Sequence, residues 1–345
     1  MTAPNTWRFL APPAPSAASR AGGRPTFSVI MAVYQGAATV GEAVGSILAQ
    51  TCPPAEVIIC DDGSTDDLEG ALAPYRERIL LLRQPNQGQP SALNTAARAA
   101  RGDFLATLDR DDVFLPRRLE ALSTLGAARP DLDLLTTDEY LEVDGEIVGR
   151  HSQHMPFPIT GQRTAILRAG FLGHPAVRRE LFLRSGGFDE SFGNFAADVE
   201  CWTRLILAGA QVGMVDEPLM CYRLHAGGVT ANRAAALRGR VRTLEKHAAN
   251  PDLSPSERVV LEEMLVHNRR RALLAESEAA LRGLIDDPRA HLAAVLRDAS
   301  FTTDERVRAA AALLAPGLAR RWVLRRERRT GFSHLERPMD RLASH

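Results

Sequence analysis

Lysine is almost missing from this chain: Lys246 is the only one among 42 basic residues, and the rest are arginine. Such a bias is what a GC-rich genome produces, and it carries no functional meaning. Net charge is missing too, since 42 basic residues face 42 acidic ones. That excludes a protein whose whole surface attracts nucleic acid, and no nucleic-acid partner is expected. Any basic feature must be local. The four cysteines, Cys52, Cys60, Cys201 and Cys221, form no CxxC pair and no metal-finger spacing. A chain of 345 residues also needs no disulfide staples, so a reducing, cytoplasmic compartment is expected. No stretch approaches the ~20 apolar residues that span a bilayer, and the N-terminus lacks the basic start and apolar core of a secretory signal. The expectation is a protein neither integral to a membrane nor exported by that route.

What is present is ordinary globular material, 45% hydrophobic and 24% charged, which rules out wholesale disorder and fibrous classes. At ~150 residues per domain the length suggests two units. Residues 1–25 are dominated by Ala, Pro, Ser and Gly and cannot bury enough apolar surface to offset chain entropy, so they read as a flexible tail. From Phe27 short apolar runs alternate with helical ones. Phe27 to Val33, Val57 to Cys60, Ile79 to Leu82 and Phe104 to Leu108 read as strands, with helices between them at 39–50, 65–73 and 90–100. This alternation implies right-handed crossovers, a mostly parallel sheet between helices and an α/β fold class. After about residue 231 strand signals stop. The rest, 231–345, reads as a helical region punctuated by Pro251, Pro255, Pro288 and Pro316, without a repeat of fixed period.

In such sheets ligands bind beyond the carboxyl ends of the strands, and two acidic loops fall there. The first is Asp61-Asp62-Gly63-Ser64-Thr65-Asp66-Asp67. Gly63 supplies a tight turn and Ser64 or Thr65 suits a helix cap, so a capping loop explains much of it. Two consecutive carboxylates at a strand end still need partners, and a ligand is one such partner. The second loop, Asp109-Arg110-Asp111-Asp112, puts Asp109 and Asp111 two apart. In an extended segment both point the same way, which suits a hard divalent cation such as magnesium or manganese bridged to a diphosphate. A solvated turn before a helix begun at Pro116 is the plain structural alternative.

Taken in order, DDGSTDD, NQGQPSALNTAARAARGDFLATLDRDD, GGFDESF, ADVECW and YRLHAGGVT resemble the motifs of family-2 glycosyltransferases with the GT-A fold, over roughly residues 27 to 230. The resemblance implies a GT-A domain over 26–230 and an inverting transfer of sugar from a nucleoside-diphosphate sugar, UDP-sugar favoured, to an acceptor hydroxyl. It makes Tyr34 and Asp62 the nucleoside readers, with Asp109 also at the nucleotide. It makes Asp109 and Asp111 the counterpart of the DxD motif that holds Mn2+ or Mg2+. His225 matches a position where some relatives add a metal ligand, although a loop histidine without that duty fits the same residue. Asp198 takes the place of the general base, on a helix whose apolar face includes Trp202, Leu205 and Ile206; a carboxylate favoured by the helix macrodipole is its structural alternative. The sequence departs from the family in having Ala197 where relatives often have Glu, and MAVYQG where VPVYN is usual. These departures keep open a second reading, a catalytically weak sugar-nucleotide-binding or scaffold protein. The acceptor, whether glycan, lipid-linked or protein, is not encoded in any of these motifs.

The last feature is local and basic. Arg320-Arg321-Trp322-Val323-Leu324-Arg325-Arg326, with Arg328 and Arg329, faces one acid, Glu327. On a helix Leu318 and Trp322 share a face flanked by cations. Such a segment can lie on the anionic inner face of a membrane as a peripheral contact. Packing of Leu318 and Trp322 into the protein's own core, or against a second subunit of a homo-oligomer, is the structural alternative and the one slightly favoured.

Overall fold

The computed structural model describes residues 23–225, 232–285 and 287–330, and side chains up to 323 in the last stretch. The expected tail over 1–25 falls, up to residue 22, outside the described residues. The chain divides into two compact units, Met1–Ala226 and Gly227–His345.

The first unit opens with β1 (Phe27–Val33), buried at every position, as expected of an uninterrupted apolar strand covered on both faces. Helix α1 (Val40–Leu48) buries Val40, Ala43, Val44 and Ile47, the i, i+3, i+4, i+7 stripe of an amphipathic helix. That stripe joins Val29, Met31 and Val33, one face of β1, in a single core. Each of these fully buried aliphatic side chains contributes about 1.5–3 kcal/mol, so a charge at Met31 would break this layer. Then follow β2 (Glu56–Asp61), α2 (Leu68–Leu72), β3 (Leu80–Arg83), α3 (Gln89–Ala99), β4 (Phe104–Thr107), β5 (Val113–Phe114) and α4 (Arg118–Ala128). Helix α3 packs on β1 and β2. The unit closes with β6 (Leu134–Val143), β7 (Glu146–Arg150), α5 (His151–His154), α6 (Gln162–Arg168), β8 (Ala176–Arg178), α7 (Arg179–Arg184), α8 (Ala197–Leu207) and β9 (Val212–Leu224).

The sheet order is β3-β2-β1-β4-β8-β6-β9-β5, with β7 paired to β6. Strands β1 to β4 are mutually parallel. Strand β8 runs against β4 and β6, and β9 is parallel to β6. Hence β1, β2, β3, β4, β6 and β9 share one direction, while β5, β7 and β8 oppose it. The chain builds outward from β1 to β2 and β3, then returns to place β4 on the other side of β1. That reversal opens a crevice beyond the carboxyl ends of β1 and β4, where α/β sheets bind ligands.

Two local expectations are corrected. The helix after the first acidic loop is capped by Asp67, whose side chain accepts from the Gly70 amide, and not by Ser64 or Thr65. Those two are engaged upstream: Gln35 N–H donates to Ser64 Oγ, and Gln35 Nε2 donates to Thr65 Oγ1. The helix near Pro116 starts at Arg118, because the Pro116 carbonyl is turned to accept from Thr51 N–H at 2.8 Å.

The second unit is helical: α9 (Arg233–Ala248), α10 (Pro255–Arg282), α11 (Pro288–Arg297), α12 (Thr303–Leu314) and α13 (Pro316–Thr330). Proline opens α10, α11 and α13, the position where its missing N–H costs nothing. Ser254 and Thr302 form capping boxes with Glu257 and Glu305. Leu281, Leu292, Val295, Phe301, Ala309, Ala312 and Val323 make a core of its own. No helix of the described residues is long and apolar enough to cross a membrane.

Candidate active site

Strand β1 ends at Val33, paired with Asp61 at the end of β2. Tyr34 therefore emerges at the crevice, and its ring is exposed. The next residue, Gln35, has φ +53°. This uncommon conformation for a residue with a side chain lets Gln35 Oε1 accept from the Thr65 and Asp66 amides. A glutamine thus clamps the first acidic loop.

Every carboxylate of that loop meets donors from the protein. Asp61 accepts from Ser64 N–H at 2.8 Å and pairs with Arg83 at 3.3 Å. Asp62, buried, accepts from Gln84 Nε2 and Gln87 N–H through Oδ1, and from Gly88 N–H through Oδ2. Asp66 accepts from Ala37 N–H and Asp67 from Gly70 N–H. Gly63, at φ +81°, is needed because a Cβ there would lie 2.9 Å from the Asn86 amide nitrogen. Asp62 is therefore a brace for the segment before α3, with a lone pair still available on Oδ2.

The second loop differs. It is a turn, closed by Asp112 N–H donating to the Asp109 carbonyl at 3.2 Å, and not an extended segment. In this turn Asp109 and Asp111 meet different partners. Asp109 accepts from Gln89 Nε2 at 2.7 Å through Oδ1, and its Oδ2 lies 3.7 Å from His174 Nε2. Asp112 Oδ2 lies 3.8 Å from the same nitrogen. Asp109, Asp112 and His174 bring one ligand atom each within 4.8 Å of one another. Asp111 turns instead to His225, at 2.9 Å between Oδ2 and Nε2. Strand β9 delivers that histidine. Arg223, near its end, donates its N–H to Asp112 Oδ1 and its guanidinium to Glu42 at 2.6 Å and Glu142 at 3.2 Å.

Asp112, His174, Glu139 and Arg118 were not singled out in the sequence. The last D of LDRDD was a visible signal for Asp112, but His174 and Glu139 lie in segments without a motif. His174 is held from both sides: its N–H and Nδ1 face Glu139 Oε1 at 2.8 and 3.1 Å, and its carbonyl accepts from Arg118. Burial pushes the imidazole down, but Glu139, Asp109 and Asp112 outweigh it and raise its pKa well above the usual range. Burial likewise pushes Glu139 up, and the charge and hydrogen bond of His174, with His151 and Arg118, reverse this and hold it at about 2. The Arg118 guanidinium is pushed down to about 10, chiefly by burial.

The residues fit a divalent cation. Asp112 Oδ2 is a buried oxygen with no hydrogen-bond partner among the described residues, and burial raises its carboxyl well above the ordinary range. A buried oxygen of this kind calls for a proton or a cation. Two carboxylates and an imidazole are ligands that manganese accepts and, at ~2.1 Å from the ion, opposed ligands stand ~4.2 Å apart and adjacent ones ~3 Å. The His174 nitrogen stands 3.7 and 3.8 Å from the Asp109 and Asp112 oxygens, between these two spacings, and Asp111–His225 at 2.9 Å matches the narrower.

Asp198 is the second residue of α8, whose Trp202, Leu205 and Ile206 are buried as expected. The residue is exposed to solvent, with protein atoms crowding one side of its carboxyl. That desolvation raises its pKa, opposed by the Val199 amide and His174 and assisted by Asp109. Asp198 therefore shares the electrostatic field of the second loop. The helix is anchored by Arg204, which pairs with buried Glu200 at 3.1 Å and donates to the carbonyls of Ser185 and Gly187. Gly187, at φ +73°, leaves room for Asn94 Oδ1, 2.4 Å from where a Cβ would stand.

Sheet order, crevice and acidic rim define an α/β protein of the GT-A class. Residues 28–185 match the model of glycosyl transferase family 2. An uncharacterized glycosyltransferase of Rickettsia prowazekii is 27% identical over 215 residues, 60% of this chain and 66% of that protein. The chondroitin synthase of Escherichia coli is 32% identical over 194 residues, 54% of this chain and 27% of the synthase. The matches thus span less than two thirds of these relatives. Among solved structures, Staphylococcus aureus TarS 1–349 in complex with UDP-GlcNAc superposes with a TM-score of 0.59 at 17% identity, covering 89% of this chain and 92% of that one. The mannosyltransferase PcManGT from Pyrobaculum calidifontis, in complex with GDP-Man and Mn2+, gives 0.55 at 22% identity, covering 91% and 90%. These likenesses show the fold. Residues 28–185 thus carry a glycosyl transferase family 2 domain, and the fold is GT-A.

Proposed function

We propose that this chain is a cytoplasmic, inverting glycosyltransferase that moves a sugar from a nucleoside-diphosphate sugar, UDP-sugar favoured, to an acceptor hydroxyl. In this reading residues 26–230 are the catalytic GT-A domain and 231–345 a helical extension. The observation that carries it is the cluster of Asp109, Asp112 and His174, one ligand atom each within 4.8 Å of one another, beyond the strand ends. A base and a cation-competent cluster meet there, where the fold binds ligands.

Tyr34 lies beside the base, and Asp62, fixed by Gln87 and Gly88, accepts from an imide N–H through its remaining lone pair. The complexes of TarS with UDP and UDP-GlcNAc support a uridine donor. Asp109, Asp111 and His225 would hold Mn2+ or Mg2+ with Asp112 and His174 behind them, and the ion supplies charge neutralisation at the diphosphate. Glu139 and Arg118 hold His174 in place, so the buried side of the turn keeps its shape. Asp198, its carboxyl raised by desolvation, takes the proton of the acceptor hydroxyl as that oxygen attacks the anomeric carbon opposite the leaving diphosphate. A positioned base contributes about 100- to 10,000-fold.

The test is a screen of nucleotide sugars with manganese, reading released nucleoside diphosphate, for wild type and Asp198→Asn. One donor should be turned over, and the variant should bind it but fail to turn it over. Donor binding without turnover in any condition, or equal turnover by the variant, would favour the scaffold reading instead.

A further inference from the structure

The arginine-rich C-terminal helix has two unlike faces. Ala319 and Val323, four residues apart, pack into the core of the second unit. Leu318 and Trp322, also four apart, do not: they are 67% and 55% exposed, and Leu314, just before the helix, is 88% exposed. The expectation that Leu318 and Trp322 fill the protein's own core is thus not met, because their neighbours already do so. Arg320 and Arg321 are exposed beside them. Arg321 stands three residues after Leu318, on the same face of the helix. The helix continues through positions 325, 326, 328 and 329, all arginine, with Glu327 the only acid in α13.

From these observations we infer that α13 docks on an anionic lipid surface, with Leu318 and Trp322 entering the headgroup boundary and the arginines meeting lipid phosphates. The argument is charge complementarity. A chain of net charge zero concentrates arginine in the sequence of one short helix, and its Arg320 and Arg321 are exposed beside exposed leucine and tryptophan, the side chains that favour the interface between water and hydrocarbon. A second copy of the chain is the poorer occupant, since a symmetric contact would set this cationic helix against itself. Nucleic acid uses the cations but has no need of Leu318. The inference goes beyond the proposed transfer and does not depend on it. If both hold, the acceptor belongs to the class of hydroxyl-bearing molecules carried at a membrane surface.

Co-sedimentation of the full chain tests this, with vesicles of phosphatidylcholine alone and of phosphatidylcholine mixed with phosphatidylglycerol. Binding is expected only to the anionic vesicles and should fall as salt rises. Arg320→Gln and Arg321→Gln should each weaken it about fivefold. The pair Leu318→Ser and Trp322→Ser should weaken it about tenfold or more. Circular dichroism and UDP binding of each variant check that it is folded. Absence of binding to anionic vesicles overturns the inference. So does binding that is indifferent to Leu318→Ser with Trp322→Ser, which would reveal a non-specific polycation. Self-association of the wild type that the same pair abolishes, without vesicle binding, would assign the face to a second copy.

Discussion

Two acidic loops stand side by side at the crevice and do different things. In the first, Asp61, Asp62, Asp66 and Asp67 all accept from donors of the protein, six of them backbone or side-chain amides. In the second, Asp112 Oδ2 has no hydrogen-bond partner among the described residues, and beside the donors from Gln89 and Arg223 the turn faces the imidazoles of His174 and His225. An imidazole can give up a proton and accept a metal ion, whereas an amide N–H cannot. Acidic residues at a strand end are therefore not informative by type alone. What separates a brace from a ligand site is whether the protein has already satisfied them.

The largest expected effect lies at the carboxylate that shares the second loop's field. Asp198→Asn should reduce turnover about 100- to 10,000-fold with donor binding retained, as steady-state rates and calorimetry on the same preparation would show. Because desolvation raises the Asp198 carboxyl, the base is protonated, and inactive, at pH values where an ordinary aspartate at 3.8 is already ionised. Wild-type activity should thus fall on acidification at a pH above that value; an acidic limb at or below it would remove Asp198 from the base role.

Next comes the brace. Asp62→Ala strands the amides of Gln87 and Gly88 and the Gln84 side chain, and losing these charge-assisted bonds should cost about 3 kcal/mol or more in urea unfolding. Asp67→Ala removes only the α2 cap and should cost about 1 kcal/mol. The contrast is sharpened by Asp112→Asn, which keeps an acceptor for Arg223 N–H and deletes a charge that burial disfavours. Its stability without added cation should stay within about 0.5 kcal/mol of wild type. A loss as large as that of Asp62→Ala would make the second loop a brace as well.

Much of this was legible along the chain. Continuous apolar runs at Phe27 to Val33 and Phe104 to Leu108 announced strands buried on both faces, and Pro255, Pro288 and Pro316 marked helix starts. Asp198 could be placed on a helix because Trp202, Leu205 and Ile206 recur at its spacing. The turn at Asp109 to Asp112 could not be read, since an extended and a turned segment contain the same letters and only a long-range contact from Arg223, 111 residues away, selects one. His174 and Glu139 were hidden for the same reason. Their partnership joins positions 35 residues apart and has no local period. The cap at Asp67 was missed because Ser64 and Thr65, good caps by type, are drawn off by Gln35.

The central claim, that the second loop holds the cation through which a nucleoside diphosphate binds, is tested most directly by calorimetry of UDP with wild type and Asp111→Asn, each with manganese and with chelator. Binding by wild type in manganese alone, lost on chelation and largely lost in the variant, is the predicted result. Binding of UDP by the chelated wild type, or by Asp111→Asn in manganese, as tight as that of wild type in manganese would contradict it.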